Sequence, residues 1–254
     1  MKCLQTGETI ALDAAAPMDT MSVIKIPLMA EVFRQAEEGR FRLEDRYTLT
    51  AEDKRPGTGI LRSLDAGASV TMQDLITLMN IVSDNTATDI LFAKVGGPEP
   101  VNALMRSWGL ETIRAVGPTS DWFRAMRAAP SPAEFHRQGK TVFGWSSAED
   151  TGKLLEKIAR GEAVSKRASE KMLEALRGQL YRTRIPRYAT GYRMPHKTGD
   201  FLPHIANDVG LLESEDRTVV ISIFTARHFG SATMLEDAIG RIAEKIADYF
   251  AWRK

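Results

Sequence analysis

Apolar residues recur at helical spacing through most of the chain. From Ser22 onward they return every three or four positions, which predicts a helix that begins close to Ser22 and ends near Gly39. Pro27 supports this start, because proline is tolerated in the first turn of a helix but not in its interior. Similar spacing continues to about Gln179. The middle of the chain is therefore predicted to be mostly helical.

Local signals divide this helical region. Residues 71–74 and 147–150 resemble capping boxes, in which a serine or threonine and an acidic residue satisfy the first amides of a helix. Residues 165–177 repeat the helical spacing. Residues 128–139 do not show it, and we expect a flexible loop there.

Strand signals lie at the two ends of the chain. Residues 7–12 alternate and predict a short strand, while residues 208–213 and 218–225 flank a polar turn and predict an antiparallel hairpin. The second of these runs has apolar residues at both odd and even positions, as in a strand covered on both faces. Residues 234–252 predict a closing amphipathic helix. We therefore expect an α+β fold in one domain, with an antiparallel sheet in an α/β lobe (about 1–21 and 175–254) and an all-α lobe (about 22–174).

Composition and charge narrow the function classes. The 34 basic and 33 acidic residues give a net charge of +1, so no overall field attracts nucleic acid or an anionic membrane. No run approaches the roughly 18 apolar residues of a membrane span. The single cysteine, Cys3, cannot form an internal disulfide. We expect a small-molecule substrate, no nucleic acid partner, no membrane span and a monomer.

Three short motifs carry the candidate chemistry. They are Ser22-Val23-Ile24-Lys25, Ser83-Asp84-Asn85 and Lys197-Thr198-Gly199. Each is common alone, but together they arise by chance in only about 2% of such chains. Their order is that of serine enzymes that act on β-lactams or on the peptides β-lactams mimic.

The residue chemistry agrees with this order. A serine hydroxyl is a poor nucleophile until a base removes its proton, and Lys25 lies one helical turn from Ser22, on the same face. If Lys197 faces the same cleft, its charge lowers the pKa of Lys25 and favours the neutral amine. The alternative interpretation makes Ser22 a helix cap and Lys25 a solvated residue. Residues 83–85 could likewise only cap a helix, and residues 197–199 could only end a strand.

The chain resembles the class A β-lactamases, within the wider group of penicillin-binding proteins and D,D-peptidases. The likeness covers nearly the whole chain and extends beyond the motifs to residues 56–61, 71–75, 83–87, 95–98 and 207–210. The resemblance implies that Ser83 relays a proton and that Asn85 binds the substrate amide. It also implies that Lys197, Thr198 and Gly199 bind substrate, the first two by its carboxylate. The backbone amides of Ser22 and Asp200 would form the oxyanion hole.

Two positions depart from the family. The loop glutamate that activates the deacylating water falls near Thr119, which cannot act as a base. Asp121 is our candidate substitute, although it could simply cap the next helix. The arginine that many relatives carry after the third motif falls at Ala206, and the candidates to replace it are Arg182, Arg184, Arg187 and Arg227.

These observations favour β-lactam amide hydrolysis through an acyl-enzyme on Ser22, and with it antibiotic resistance. Two alternatives stay open: a D,D-peptidase or esterase, and a penicillin-binding module that acylates but releases slowly. No metal or organic cofactor is implied, since the four histidines lack metal-ligand spacing. The resemblance implies a periplasmic or secreted protein, yet no export signal is present, so we expect a truncated or misassigned start, with a true cytoplasmic variant as the alternative.

Overall fold

The structure of the chain is a computed structural model that describes residues 1–139, 141–226 and 228–251. Over these residues the helices are α1 (Lys25–Glu37), α2 (Met72–Ile81), α3 (Asn85–Val95), α4 (Pro98–Ser107), α5 (Thr119–Ala128), α6 (Pro132–Arg137), α7 (Ala148–Ala159), α8 (Lys166–Arg177) and α9 (Ala232–Ala251). The strands are β1 (Lys2–Cys3), β2 (Met18–Asp19), β3 (Arg46–Thr48), β4 (Ser69–Thr71), β5 (Arg114–Ala115), β6 (Gly144–Ser146), β7 (His196–Phe201), β8 (Ile205–Glu213) and β9 (Thr218–Ile223). Short 3-10 helices lie at Met21–Ile24, Leu61–Ser63 and Ile185–Arg187.

The main sheet joins the two ends of the chain. Its strand order is β1–β9–β8–β7, and every neighbouring pair is antiparallel. The hairpin of β8 and β9, in which Glu213 pairs with Thr218, occupies the residues predicted for it. Two smaller sheets have the strand orders β2–β6–β5 and β3–β4. The α+β class with an antiparallel sheet is confirmed.

Strand β9 is covered on both faces, as the apolar residues at both odd and even positions predict. Val220 belongs to the larger hydrophobic cluster, whereas Val219 and Ile221 pack with Ile239 of α9 in a second cluster. A strand buried on both sides has no solvated face, so it needs no alternation of apolar and polar residues.

Helix α1 lies at the centre of the larger cluster. Ten of its 13 residues are buried, including the charged Lys25 and Glu31. Glu31 is paired with Arg34 (Oε2 to Nε, 2.7 Å), but Lys25 has no carboxylate beside it within the described chain. A buried cation without a partner is costly, so Lys25 calls for a functional explanation.

Of the two predicted capping boxes, one forms completely and the other only in part. Thr71 and Asp74 make a complete capping box at the start of α2. Ser147 accepts a hydrogen bond from the amide of Asp150 at the start of α7. The Asp150 carboxylate instead accepts from the amide and hydroxyl of Thr112 (2.9 and 2.8 Å), so that box stays half formed.

Two local predictions are wrong. Of residues 7–12, only Thr9 pairs, in a single bridge to Lys2, because Ile10 and Leu12 are exposed and bury nothing that would hold a strand. Residues 128–139 contain helix α6, which Ser131 caps and whose Phe135 is buried. The predicted closing helix is α9, and its expected last residue, Trp252, lies outside the described residues.

No described helix combines the length and the apolar content that crossing a bilayer requires. Strand β7 is an outer strand of the main sheet, and it packs against the 3-10 helix that carries Ser22. The third motif therefore lies beside the first.

Candidate active site

Ser22 faces a cavity at the entrance to α1. Its neighbours Met21 and Val23 are buried, whereas Ser22 itself is partly exposed and lines a cavity of about 240 Å³. Met21 has a φ of 45°, in the left-handed region that a side chain rarely adopts. Such backbone conformations occur often at functional sites, where the surrounding fold holds a reactive group in place.

Lys25 lies beneath this cavity and is fully buried. Its Nζ is 2.8 Å from the carbonyl oxygen of Ser83, 3.0 Å from the Ser83 hydroxyl and 2.9 Å from Oδ1 of Asn85. Burial, and secondarily the charge of Lys197, hold the pKa of Lys25 well below its usual value. Lys25 is therefore suited to act as a neutral amine, which can accept a proton.

Lys197 is the second buried amine, and it reaches the same hydroxyl. Its Nζ donates to the hydroxyl of Ser83 (3.1 Å) and to the carbonyl oxygen of Thr198 (2.9 Å). Burial lowers the pKa of Lys197 to about 8, although the nearby carboxylates of Asp200 and Asp208 partly oppose this shift. The hydroxyl of Ser83 thus lies between two amines, and a proton can pass through it in either direction.

The second motif divides into structural and site residues. Asp84 caps α3 and also accepts hydrogen bonds from the amides of Ile60 and Leu61 (2.7 and 2.9 Å). A Cβ on Gly59 would lie 2.3 Å from the Asp84 carboxyl carbon, which explains the glycine in this loop. Capping is therefore correct for Asp84, while its neighbours Ser83 and Asn85 line the cavity.

Asn85 is held from two sides. Its Oδ1 meets Nζ of Lys25, and its Nδ2 donates to the carbonyl oxygen of Pro56 (2.9 Å). A Cβ on Gly57 would lie 2.7 Å from this Nδ2. The glycines of residues 56–61 thus let the loop close over the second motif.

Gly199 brings the third motif against the first. A Cβ at this position would lie 2.4 Å from the carbonyl oxygen of Thr20 and 3.2 Å from the amide nitrogen of Ser22. Only glycine allows the backbone of β7 to approach this closely. Thr198 is buried beside it, and its hydroxyl has no hydrogen-bond partner within the described residues.

Asp200 lines the cavity, and Arg184 is its partner. The Arg184 guanidinium is buried, forms an ion pair with Asp200 and donates to the carbonyl oxygen of Asn207 (2.8 Å). Ala206 lies directly opposite Asp200 on β8. Of the arginines considered to replace the family arginine, Arg184 is therefore the one found at this point.

The other three arginines do not take this place. Arg182 is exposed, and Arg187 lies 3.7 Å from the carboxylate of Asp237. Arg227 lies outside the described residues.

The structure does not bring Asp121 to Ser22. Asp121 lies in the first turn of α5, is paired with Arg124 and does not line the cavity. Thr119 does line it, but its hydroxyl donates to Asp89 (2.8 Å). The position expected for the water-activating base is thus occupied by a buried threonine.

Aromatic side chains form a wall that motif analysis did not identify. Trp122, Phe123, Phe143 and Phe201 line the cavity, and Trp122 meets Phe201 edge to face at 5.1 Å. A larger cavity of about 640 Å³ shares Trp122 and Phe201 as lining residues. The only sequence signal was the apolar spacing of these residues, which equally indicates a core.

Fold and site together define the class of the protein, a serine hydrolase. The sequence profile of the beta-lactamase enzyme family matches residues 1–250. The chain belongs to this family.

Individual relatives agree with this assignment. The chain is 30% identical to a beta-lactamase structure from Sphaerobacter thermophilus, with a TM-score of 0.82, over 94% of this chain and 85% of that one. It is 21% identical to beta-lactamase VEB-1 of Pseudomonas aeruginosa, over 96% of this chain and 81% of the relative. The structure of PBP-A has the same fold, with a TM-score of 0.84 and 23% identity over 98% of this chain and 88% of that chain.

Proposed function

We propose that this protein hydrolyses β-lactam amides through an acyl-enzyme on Ser22. The observation that carries the proposal is the convergence of the Ser22 hydroxyl, two buried amines and the Ser83 hydroxyl around one cavity. Family membership and the relatives named beta-lactamase support the choice of substrate class.

In the acylation step, neutral Lys25 accepts the proton of the Ser22 hydroxyl as Oγ attacks the lactam carbonyl carbon. The proton then passes to the hydroxyl of Ser83, which lies 3.0 Å from Nζ of Lys25, while Ser83 gives its own proton to the departing lactam nitrogen. Lys197 stabilises the substrate carboxylate and the relay hydroxyl, 3.1 Å away. The amides of Ser22 and Asp200 stabilise the developing oxyanion.

Deacylation needs a water molecule and a base. Asp200 is the only carboxylate among the described residues that line the cavity. It is already in an ion pair with Arg184, so it is poorly placed to act as a base toward water. General-base assistance contributes typically about 10²–10⁴-fold to such a step. We therefore expect release of the acyl group to limit turnover.

This slow step makes a penicillin-binding role the second candidate function. It is favoured by the buried Thr119 at the position of the family glutamate and by the placement of Asp121 outside the cavity. The two functions share the acylation chemistry and differ only in the lifetime of the adduct.

One experiment separates the candidates. The protein is mixed with benzylpenicillin, and intact mass and ring-opened product are followed together. Hydrolysis predicts a transient adduct and ring-opened product well beyond one equivalent of protein. The binder predicts a persistent adduct, with about one equivalent of drug consumed and little product released. An unlabelled protein with intact drug would contradict both and leave a peptidase or esterase.

A further inference from the structure

Asp200 places a negative charge where this kind of site is expected to receive a negatively charged substrate. It follows the third motif directly on β7, its side chain is 31% exposed, and it lines the same cavity as Ser22. Because side chains alternate along a strand, Asp200 and Thr198 share one face of β7. A substrate carboxylate held by Thr198 and Lys197 would therefore approach the Asp200 carboxylate.

The positive group beside Asp200 is the guanidinium of Arg184, which is already paired with carboxylates. Arg184 is 3% exposed, and its Nη2 meets both Asp200 and Glu236 (3.1 Å to the latter). Its Nη1 donates to the carbonyl oxygen of Asn207. Two carboxylates face one guanidinium, so Arg184 offers an incoming carboxylate little net attraction.

The charge of Asp200 also reaches the amines of the site. It acts to raise the pKa of both Lys197 and Lys25, against the larger effect of their burial. It likewise contributes to the raised pKa of Tyr181, for which burial is the main cause. These groups are contributed by β7, α1 and the segment before Arg184, so the field of Asp200 extends across the site.

We propose that Asp200 is a specificity-determining residue that occupies Arg184 and disfavours acyl donors bearing a carboxylate beside the scissile amide. Asp200 thus opposes the attraction that Lys197 exerts on a substrate carboxylate and narrows the advantage of a charged donor over an uncharged one. This inference rests on the proposed function, because it concerns the substrate of the same acylation step.

A matched pair of substrates tests it. Benzylpenicillin and its methyl ester differ only in the charge of the carboxyl group. The second-order rate constant for acylation of Ser22 is measured for both by intact mass, and the ratio of acid to ester is compared between proteins. A general loss of active-site function lowers both rate constants alike and therefore leaves their ratio unchanged.

Asp200→Asn is the test variant, since asparagine keeps the size of the side chain and the backbone amide and can still accept from Arg184. We expect the ratio of acid to ester to rise about tenfold, as removal of one nearby like charge is worth about a decade. Glu236→Gln is the matched control, because Glu236 pairs with the same guanidinium but does not line the cavity. It should leave the ratio within about twofold of the starting value.

An unchanged ratio in Asp200→Asn, with Ser22 acylated by both substrates, overturns the inference and leaves the proposed function intact. An equal rise in Glu236→Gln also overturns it, because the effect would then belong to Arg184 rather than to the charge in the cavity. If neither substrate acylates Ser22 in the unaltered protein or in Asp200→Asn, the proposed function is contradicted, and the inference with it.

Discussion

At the scale of single residues, the site depends on two lysines buried without a carboxylate within ion-pairing distance in the described structure. Lys25 and Lys197 are both fully buried, and both reach the hydroxyl of Ser83. The proposed mechanism requires the two lysines in different protonation states, with Lys25 neutral so that it accepts a proton and Lys197 charged so that it attracts a carboxylate. Burial and mutual repulsion favour this division, because they make the second charge costly.

The pH dependence of acylation follows from this division. The pKa of Lys197 is about 8, so its positive charge is present below pH 8 and is lost above it. The acylation rate constant for benzylpenicillin should fall above pH 8, while that for its methyl ester should fall less. Parallel profiles for the two substrates between pH 7 and 10 would remove Lys197 from carboxylate binding.

A second prediction at this scale concerns the missing base. Thr119→Glu combined with Asp89→Asn places a carboxylate at the cavity and removes the one that Thr119 now contacts. The lifetime of the penicillin adduct should shorten at least about tenfold, because a general base then assists water. Asp89→Asn alone is the control, and an equal shortening there would show that loop rearrangement is the cause.

At the scale of elements, backbone contacts set the distances between the motifs. Gly199 lets β7 lie against Thr20, and Asp84 holds residues 56–61 over the start of α3. These contacts explain why the motifs could be identified from sequence while their mutual geometry could not. The sequence contains the glycines, but only the fold shows what each one approaches.

Gly199→Ala tests the closest of these approaches. Its methyl group would overlap the carbonyl oxygen of Thr20, so we expect acylation to fall at least about 100-fold as the oxyanion site widens. Gly152→Ala in α7 is the matched control, since its Cβ would meet nothing closer than 3.7 Å. It should keep full activity and gain about 0.5–1 kcal/mol in the free energy of unfolding. Full activity in Gly199→Ala would contradict the account.

Asp84→Ala tests the clamp on the second motif. It removes the cap of α3 and leaves the buried amides of Leu61 and Ala87 without an acceptor. The free energy of unfolding, measured in urea, should therefore fall by about 2–4 kcal/mol. Asp74→Ala, in the exposed capping box of α2, should cost only about 1 kcal/mol. Equal losses would show that Asp84 is merely another cap.

At the scale of the whole molecule, the pattern of apolar residues predicted the class, the hairpin and the closing helix. The predictions failed where burial rather than pattern decides, as for exposed Leu12 and buried Phe135. The apolar pattern also gave no information about contacts between segments that are distant in sequence. Arg184 is one of four arginines that the sequence offered for this place, and only the fold brings it to Asp200 of β7 and the carbonyl oxygen of Asn207 on β8.

The stability of the whole chain should depend on one half-buried carboxyl group near the site. Burial raises the pKa of Asp19 to about 6 from its usual 3.8. The folded state therefore binds more protons than the unfolded state between about pH 4 and 6, and stability falls as pH rises through this window. Asp19→Asn should raise the free energy of unfolding by about 1–2 kcal/mol at pH 7.5 and leave it nearly unchanged at pH 4.

Asp65→Asn is the control for this prediction, because Asp65 is exposed in a loop. It should change stability little at either pH. A gain of equal size at pH 4 and 7.5 in Asp19→Asn would show that its effect does not come from the charge.

The account depends most on Ser22 as the nucleophile, and the mass of the protein after exposure to benzylpenicillin tests this most directly. The unaltered chain should gain the mass of one penicilloyl group on the peptide that contains Ser22. Ser22→Ala, which keeps Lys25, Ser83 and Lys197 in place, should gain nothing. An adduct of the same mass on Ser22→Ala would contradict the account.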